Sequence, residues 1–102
     1  MPNFLSDHTA EIDRVSQTYA AKFDLTRNDE WFMLKLQEEV GELTQAFLAV
    51  TGRTRPKGET ADELRHNLVA ELADVYCHTL LLASHFGVDL EAAVKDKWLV
   101  WS

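Results

Sequence analysis

Two short acidic segments carry the residue types best suited to chemistry in this chain: Glu38-Glu39-Val40-Gly41-Glu42 and Glu71-Leu72-Ala73-Asp74. Side chains three residues apart on a helix are surface neighbours. Glu39 and Glu42 therefore share one helix face, and Glu71 and Asp74 share another. Two such helices packed side by side bring four carboxylates into one cleft. Like charges that close raise one another's pKa unless a cation sits among them. An all-oxygen carboxylate set suits Mg²⁺, Mn²⁺ or Ca²⁺, and ions of that kind point to phosphate chemistry. The plain alternative is a pair of ordinary solvated acidic faces. Two i,i+3 pairs, each beside an apolar seam, favour the metal reading.

Other chemistries lack their residues. A di-iron bundle requires Glu-x-x-His on two helices, and neither cluster has His at that position. His78 follows Asp74 by one turn, which makes it a candidate ligand or substrate contact against the simpler reading of a hydrogen-bonded core histidine. The chain has no Gly-rich phosphate loop, no Gly-x-Ser-x-Gly and no Cys/His zinc spacing. Cys77 lies among apolar neighbours and reads as an inert thiol.

The elements that must position these acids are helical. Ile12, Val15, Tyr19 and Phe23 recur at helical spacing and predict a first helix from about Ser6, as N-cap, to about Lys22. A polar connection runs from Asp24 to Asp29. A second helix over roughly Glu30 to Val50 carries the stripe Phe32, Leu36, Val40, Leu43, Phe47 and Val50. Thr51 to Glu59 reads as a loop holding Arg53, Arg55 and Lys57. Thr60 and Glu63 form a capping-box pattern that opens a third helix ending near Phe86, with Gly87 as its C-terminal glycine. Asp89 is placed to cap a fourth helix bearing Leu90, Ala93, Val94, Trp98 and Trp101. At about 100° per residue, Glu39 falls at the edge of the apolar stripe of its helix and Glu42 about 60° further out, with Glu38 beyond. Glu71 falls within the apolar arc of the third helix, and Asp74 flanks it. Ala46 and Ala49 leave room nearby.

Composition bounds the function. The chain has 102 residues, 46% of them hydrophobic, enough for one domain over 1-102 with a modest core. A net charge of −7, from 17 acids and 10 bases, argues against a nucleic-acid polymer as partner. No apolar run approaches the ~20 residues that span a bilayer, and Met1 to His8 lack the pattern of a signal peptide. With one cysteine, a reduced, cytoplasmic setting follows. Leu64, Leu68, Leu72, Val75, Tyr76 and Leu80 to Ala83 cover most of the third helix. Helices apolar all round are buried, and four short helices can hardly surround one of their own, so a homodimer or homotetramer is expected, with a wide core-facing side of a monomer as the plain alternative.

Glu38-Glu39-x-x-Glu42 followed by Glu71-x-x-Asp74 resembles the motif of the MazG-like, all-α nucleoside triphosphate pyrophosphohydrolases. The similarity extends through Leu36 to Leu43, Glu71 to Tyr76, and the turn Gly87-Val88-Asp89-Leu90-Glu91, covering roughly Trp31 to Trp98. The resemblance implies an all-α four-helix bundle completed by homo-oligomerisation. It implies a nucleoside triphosphate substrate cleaved to monophosphate and pyrophosphate, and a house-cleaning role. Glu39, Glu42, Glu71 and Asp74 would bind Mg²⁺, with Mn²⁺ as a substitute, and Glu38 would orient or deprotonate the attacking water or complete a second metal site. Relatives often end with Lys and then Asn or Arg residues that meet the phosphates. Here Lys95 and Lys97 are followed by Trp98-Leu99-Val100-Trp101. Lys35, Lys97, Arg53, Arg55 and Lys57 are the candidate phosphate contacts, and Trp31, Phe23 or Trp98 are candidates to stack on a base, with packing as the alternative role. The related phosphoribosyl-ATP pyrophosphohydrolases share a similar helical motif and form the close alternative; the doubled Glu38-Glu39 and the Val40-to-Leu43 context favour the MazG-like reading. A non-catalytic helical assembly module is the alternative of a different class.

Overall fold

A computed structural model describes residues 4–102. It is all-helical: α1 (Phe4–Lys22), α2 (Asp29–Val50), α3 (Ala61–His85) and α4 (Leu90–Lys97), followed by a 3₁₀ turn over Leu99–Trp101. No strand occurs among the described residues. Met1, Pro2 and Asn3, part of the stretch read for a signal-peptide pattern, lie outside the described residues. Ser6, expected as an N-cap, sits inside α1 instead, because the described helix already begins at Phe4.

Local chemistry fixes the helix starts. The Asn28 side chain accepts from the Trp31 N–H at 2.8 Å, so Asn28, within the polar connection, caps α2. Thr60 accepts from the Glu63 N–H at 3.1 Å while Glu63 accepts from the Thr60 N–H at 2.9 Å. This is the expected capping box, and those bonds hold the Glu63 carboxyl below its usual range. Asp89 accepts from the Ala92 N–H at 3.1 Å and opens α4. The ends of α1, α2 and α3 share one closure. Leu25, Arg53 and Val88 each donate back to the carbonyls of Ala20, Leu48 and Ala83 at 2.8 Å. The residue before each is left-handed: Asp24 at φ 54°, Gly52 at 73° and Gly87 at 67°. Glycine takes that conformation without strain, and Asp is among the few other residues that tolerate it.

α2 and α3 form an antiparallel hairpin, the principal packing pair. Asp29 at the start of α2 meets His85 at the end of α3 at 2.6 Å. Between them Phe32, 3% exposed, is stacked under the His85 ring at 4.3 Å and under the Arg27 guanidinium at 5.2 Å. α1 lies against α3, with His8 5.7 Å from Tyr76 and Asp13 paired to Arg27 at 2.8 Å.

The core is thin. Its buried apolar residues are Ala20, Phe32, Leu80 and Leu81, while Val69, Leu72 and Tyr76 of α3 stay exposed. Trp98 and Trp101 were expected on α4. Trp98 instead ends that helix and Trp101 lies in the 3₁₀ turn, and both are exposed. Accessible surface is 7844 Å², against about 5,800 Å² for a compact monomer of this mass. The radius of gyration is 16.2 Å, against about 13 Å. No described helix is long and apolar enough to cross a membrane.

Candidate metal centre

The acids meet where α2 crosses the middle of α3. One carboxylate oxygen from each of Glu39, Glu42, Glu71 and Asp74 lies within 4.8 Å of the others. The i,i+3 spacing on each helix and the antiparallel pairing are together sufficient to do this. Burial is unequal, as the helical phase predicts: Glu39 is buried at 8% exposure, Glu71 is half-buried, and Glu42 and Asp74 are exposed.

Glu39 Oε2 and Glu71 Oε2 are buried without a hydrogen-bond partner. An orphaned buried carboxylate oxygen is costly. Burial raises the Glu39 carboxyl from 4.5 to about 7, repulsion from Glu42 and Asp74 adds to it, and Lys35 offsets only part. Glu71 is raised for the same reasons, burial first and then Glu42 and Asp74. Two unsatisfied acceptors facing two further carboxylates fit a hard divalent cation, which would satisfy the orphaned oxygens and offset the repulsion.

The remaining sequence candidates fall into distinct places. Glu38 is exposed, stands outside the set of four and pairs with Lys35 at 3.4 Å. His78 is also outside the set. Its Nδ1 is buried and unpartnered, and burial followed by the Lys35 charge lowers its pKa, so the ring is held neutral. Trp31 packs edge-on at 6.2 Å from His78 and 5.1 Å from Phe32. Trp31, His78, Lys35 and Glu38 thus gather toward the α2 N-terminal side of the acids. Lys97 lies in the last turn of α4. Phe23 packs on Tyr19 at 4.7 Å, a local pair within α1 and its end. Burial raises the Cys77 thiol, consistent with an inert side chain.

A cleft of about 680 Å³ opens from the acids in the other direction, toward the α2–α3 loop. Glu42 and Glu71 line one end, Ala46, Ala49 and Asn67 the middle, and Arg55 and Lys57 the far end. Its size is that of a small-molecule site. A second cleft of about 500 Å³ between α1, α3 and the α4 start carries only Asp13 and Asp89 as charged groups. Those are already engaged, one with Arg27 and one with the α4 cap. Sequence reasoning treated Arg53, Arg55 and Lys57 alike. The structure separates them, because Arg53 lies over the Phe47 ring at 5.8 Å. Only the path of the loop makes that division, and the residue types give no signal of it.

A family model described as phosphoribosyl-ATP pyrophosphohydrolase matches residues 6–96. An uncharacterized protein, YvdC, of Bacillus subtilis (strain 168) is 40% identical over 63 residues, 59% of this chain and 59% of that protein. The match thus spans less than two thirds of the relative's length. No solved structure matches the chain.

Proposed function

The chain belongs to the phosphoribosyl-ATP pyrophosphohydrolase family, within the MazG-like all-α pyrophosphohydrolases, and from that premise we propose that it is a Mg²⁺-dependent enzyme cleaving the α–β phosphate bond of a nucleoside triphosphate to the monophosphate and pyrophosphate. The observation that carries the reading is the four-carboxylate centre with its two orphaned buried oxygens. Glu39, Glu42, Glu71 and Asp74 hold the ion, with Mn²⁺ as a workable substitute. When bound, such an ion neutralises phosphate charge and acidifies bound water. Glu38, outside the set and exposed, is placed to orient the attacking water and take its proton, with Lys35 3.4 Å away as its ion-pair partner. Trp31 and His78 offer an aromatic wall at the same end of the centre. A house-cleaning role on non-canonical or excess (d)NTPs and a cytoplasmic setting complete the proposal.

A second substrate reading is phosphoribosyl-ATP itself, supported by the family match over residues 6–96. The excess accessible surface and exposed Val69, Leu72 and Tyr76 support a homodimer or homotetramer. Pyrophosphate release from a panel of NTPs, dNTPs and phosphoribosyl-ATP, with and without Mg²⁺, tests the function. The expected result is Mg²⁺-dependent turnover of at least one nucleotide. Glu39→Ala should reduce it by more than about 100-fold, the upper end of what losing a residue that merely orients a metal ligand costs. No turnover of any nucleotide with Mg²⁺ or Mn²⁺, or undiminished activity in Glu39→Ala, would overturn the reading.

A further inference from the structure

The cleft that starts at Glu42 and Glu71 also holds two cations that form no ion pair. Arg55 and Lys57 line its far wall, and among the described residues neither makes an ion pair, a hydrogen bond or a ring contact. Arg27 is engaged with Asp13, Lys35 with Glu38 and Arg53 over Phe47; Arg65 of α3 is unpaired as well, but it does not line the cleft. In a chain of net charge −7, acids to pair with are plentiful. Glu59 lines the same cleft without reaching either cation.

The loop that carries them turns at two glycines. Gly52 and Gly58 are left-handed at φ 73° and 88°, and Pro56 stands between the two cations with its φ fixed. Eight residues separate Glu42 from Val50, so at 1.5 Å per residue the cleft runs roughly 12 Å along α2 from the acids to the loop. Small Ala46 and Ala49 leave its middle open, and Asn67 and Gln45 offer amides there. The cleft therefore has a metal-binding end, a neutral middle and a cationic end. An uncharged ligand would leave the last unused. Glu71, which lines the first end and has a buried oxygen lacking a partner, marks that end as suited to a ligand.

Resting on the pyrophosphohydrolase reading, we propose that Arg55 and Lys57 form a phosphate clamp that holds, at the loop end of the α2–α3 cleft, a phosphate group of the substrate remote from the metal-binding acids. They are binding and positioning residues and take no part in bond cleavage. The remote phosphate has two possible sources: the β,γ end of the triphosphate, which leaves as pyrophosphate, or a phosphate carried on the nucleoside side, as in a phosphoribosylated nucleotide.

The test compares wild type with Arg55→Ala/Lys57→Ala. Calorimetry in Mg²⁺ measures affinity for inorganic pyrophosphate, for the non-hydrolysable α,β-methylene-ATP and for phosphoribosyl-AMP; kcat and KM are measured on the best substrate of the panel. Loss of charge-assisted contacts is expected to raise Kd and KM about 10–100-fold and to leave kcat within about threefold. Weakened pyrophosphate and analogue with unchanged phosphoribosyl-AMP assigns the clamp to the leaving group. The converse assigns it to the nucleoside-side phosphate. Both support the clamp, and Arg55→Lys should restore most of the affinity. Unchanged Kd for all three ligands, or no binding of any of them by wild type, overturns it, as does a fall in kcat with binding intact. The binding measurements need no turnover, so an inactive wild type that binds these phosphates through the loop would sink the enzymatic reading and leave the clamp standing.

Discussion

The α2–α3 hairpin and the α4–3₁₀ segment use their apolar residues to opposite ends. In the hairpin, Phe32 is buried between the Arg27 guanidinium and the His85 ring, and the seam is tight enough to desolvate Glu39. In the α4 segment, Val94, Trp98, Leu99, Val100 and Trp101 are all exposed, and its packing is with its own turn. The centre's four carboxylates thus come wholly from one hairpin, while much of the chain's apolar surface is left uncovered. The candidate centre is local to two helices; burial on the proposed reading is a property of more than one chain.

The largest effect should come from attacking the uncovered face. Val69 and Leu72 are exposed and one turn apart on α3, away from the acids. Wild type is expected to run as a dimer or tetramer by light scattering, and Val69→Asp/Leu72→Asp as a monomer with a lower melting temperature. A monomeric wild type would break the comparison, because the hairpin would then be self-sufficient in both respects.

A smaller effect separates the seam's fold from its function. Glu39 is raised from 4.5 to about 7 by burial and by its acidic neighbours, so ionising it costs the folded state. Its contribution is therefore full below pH 4.5 and lost as pH rises through 7. Metal-free Glu39→Gln should gain stability over wild type across that window, levelling at up to about 3 kcal/mol above it. His78, whose lowered pKa acts in the opposite sense at acid pH, is present in both proteins. Mg²⁺ should close the gap by stabilising only wild type. Melts showing a difference that is flat from pH 4.5 to 8 would contradict a desolvated, cation-seeking Glu39.

The smallest effect probes the hairpin's frame. Thr60→Ala removes the hydroxyl that accepts from the Glu63 N–H and should lower stability by about 1 kcal/mol, read from the urea midpoint. No change would mean that the α2–α3 pairing, and not the cap, sets where α3 begins.

Much of this was legible in the sequence because helical phase is a local property. The i,i+3 acids, the Thr60–Glu63 box, the Gly87 stop and the Asp89 cap all follow from residue types a few positions apart, and each appears where expected. Failures occurred where local signals competed. Asn28 sits in a polar run whose residue types offer more than one cap. The αL end at Asp24 lacks the glycine that usually announces one, and Trp98 and Trp101 continued a helical rhythm after the backbone had already tightened into a 3₁₀ turn.

The sequence by itself determined that four helices form, which face each acid occupies and that the two acidic pairs are suited to a shared cation. Only tertiary structure decided how deeply each acid is buried, since desolvation of Glu39 depends on α3 crossing it and not on its own neighbours in the chain. Tertiary structure also sorted the loop cations, setting Arg53 over Phe47 and leaving Arg55 and Lys57 on the cleft wall. Helix formation depends on contacts four residues apart, whereas the depth of a site and the aim of a loop depend on contacts between elements.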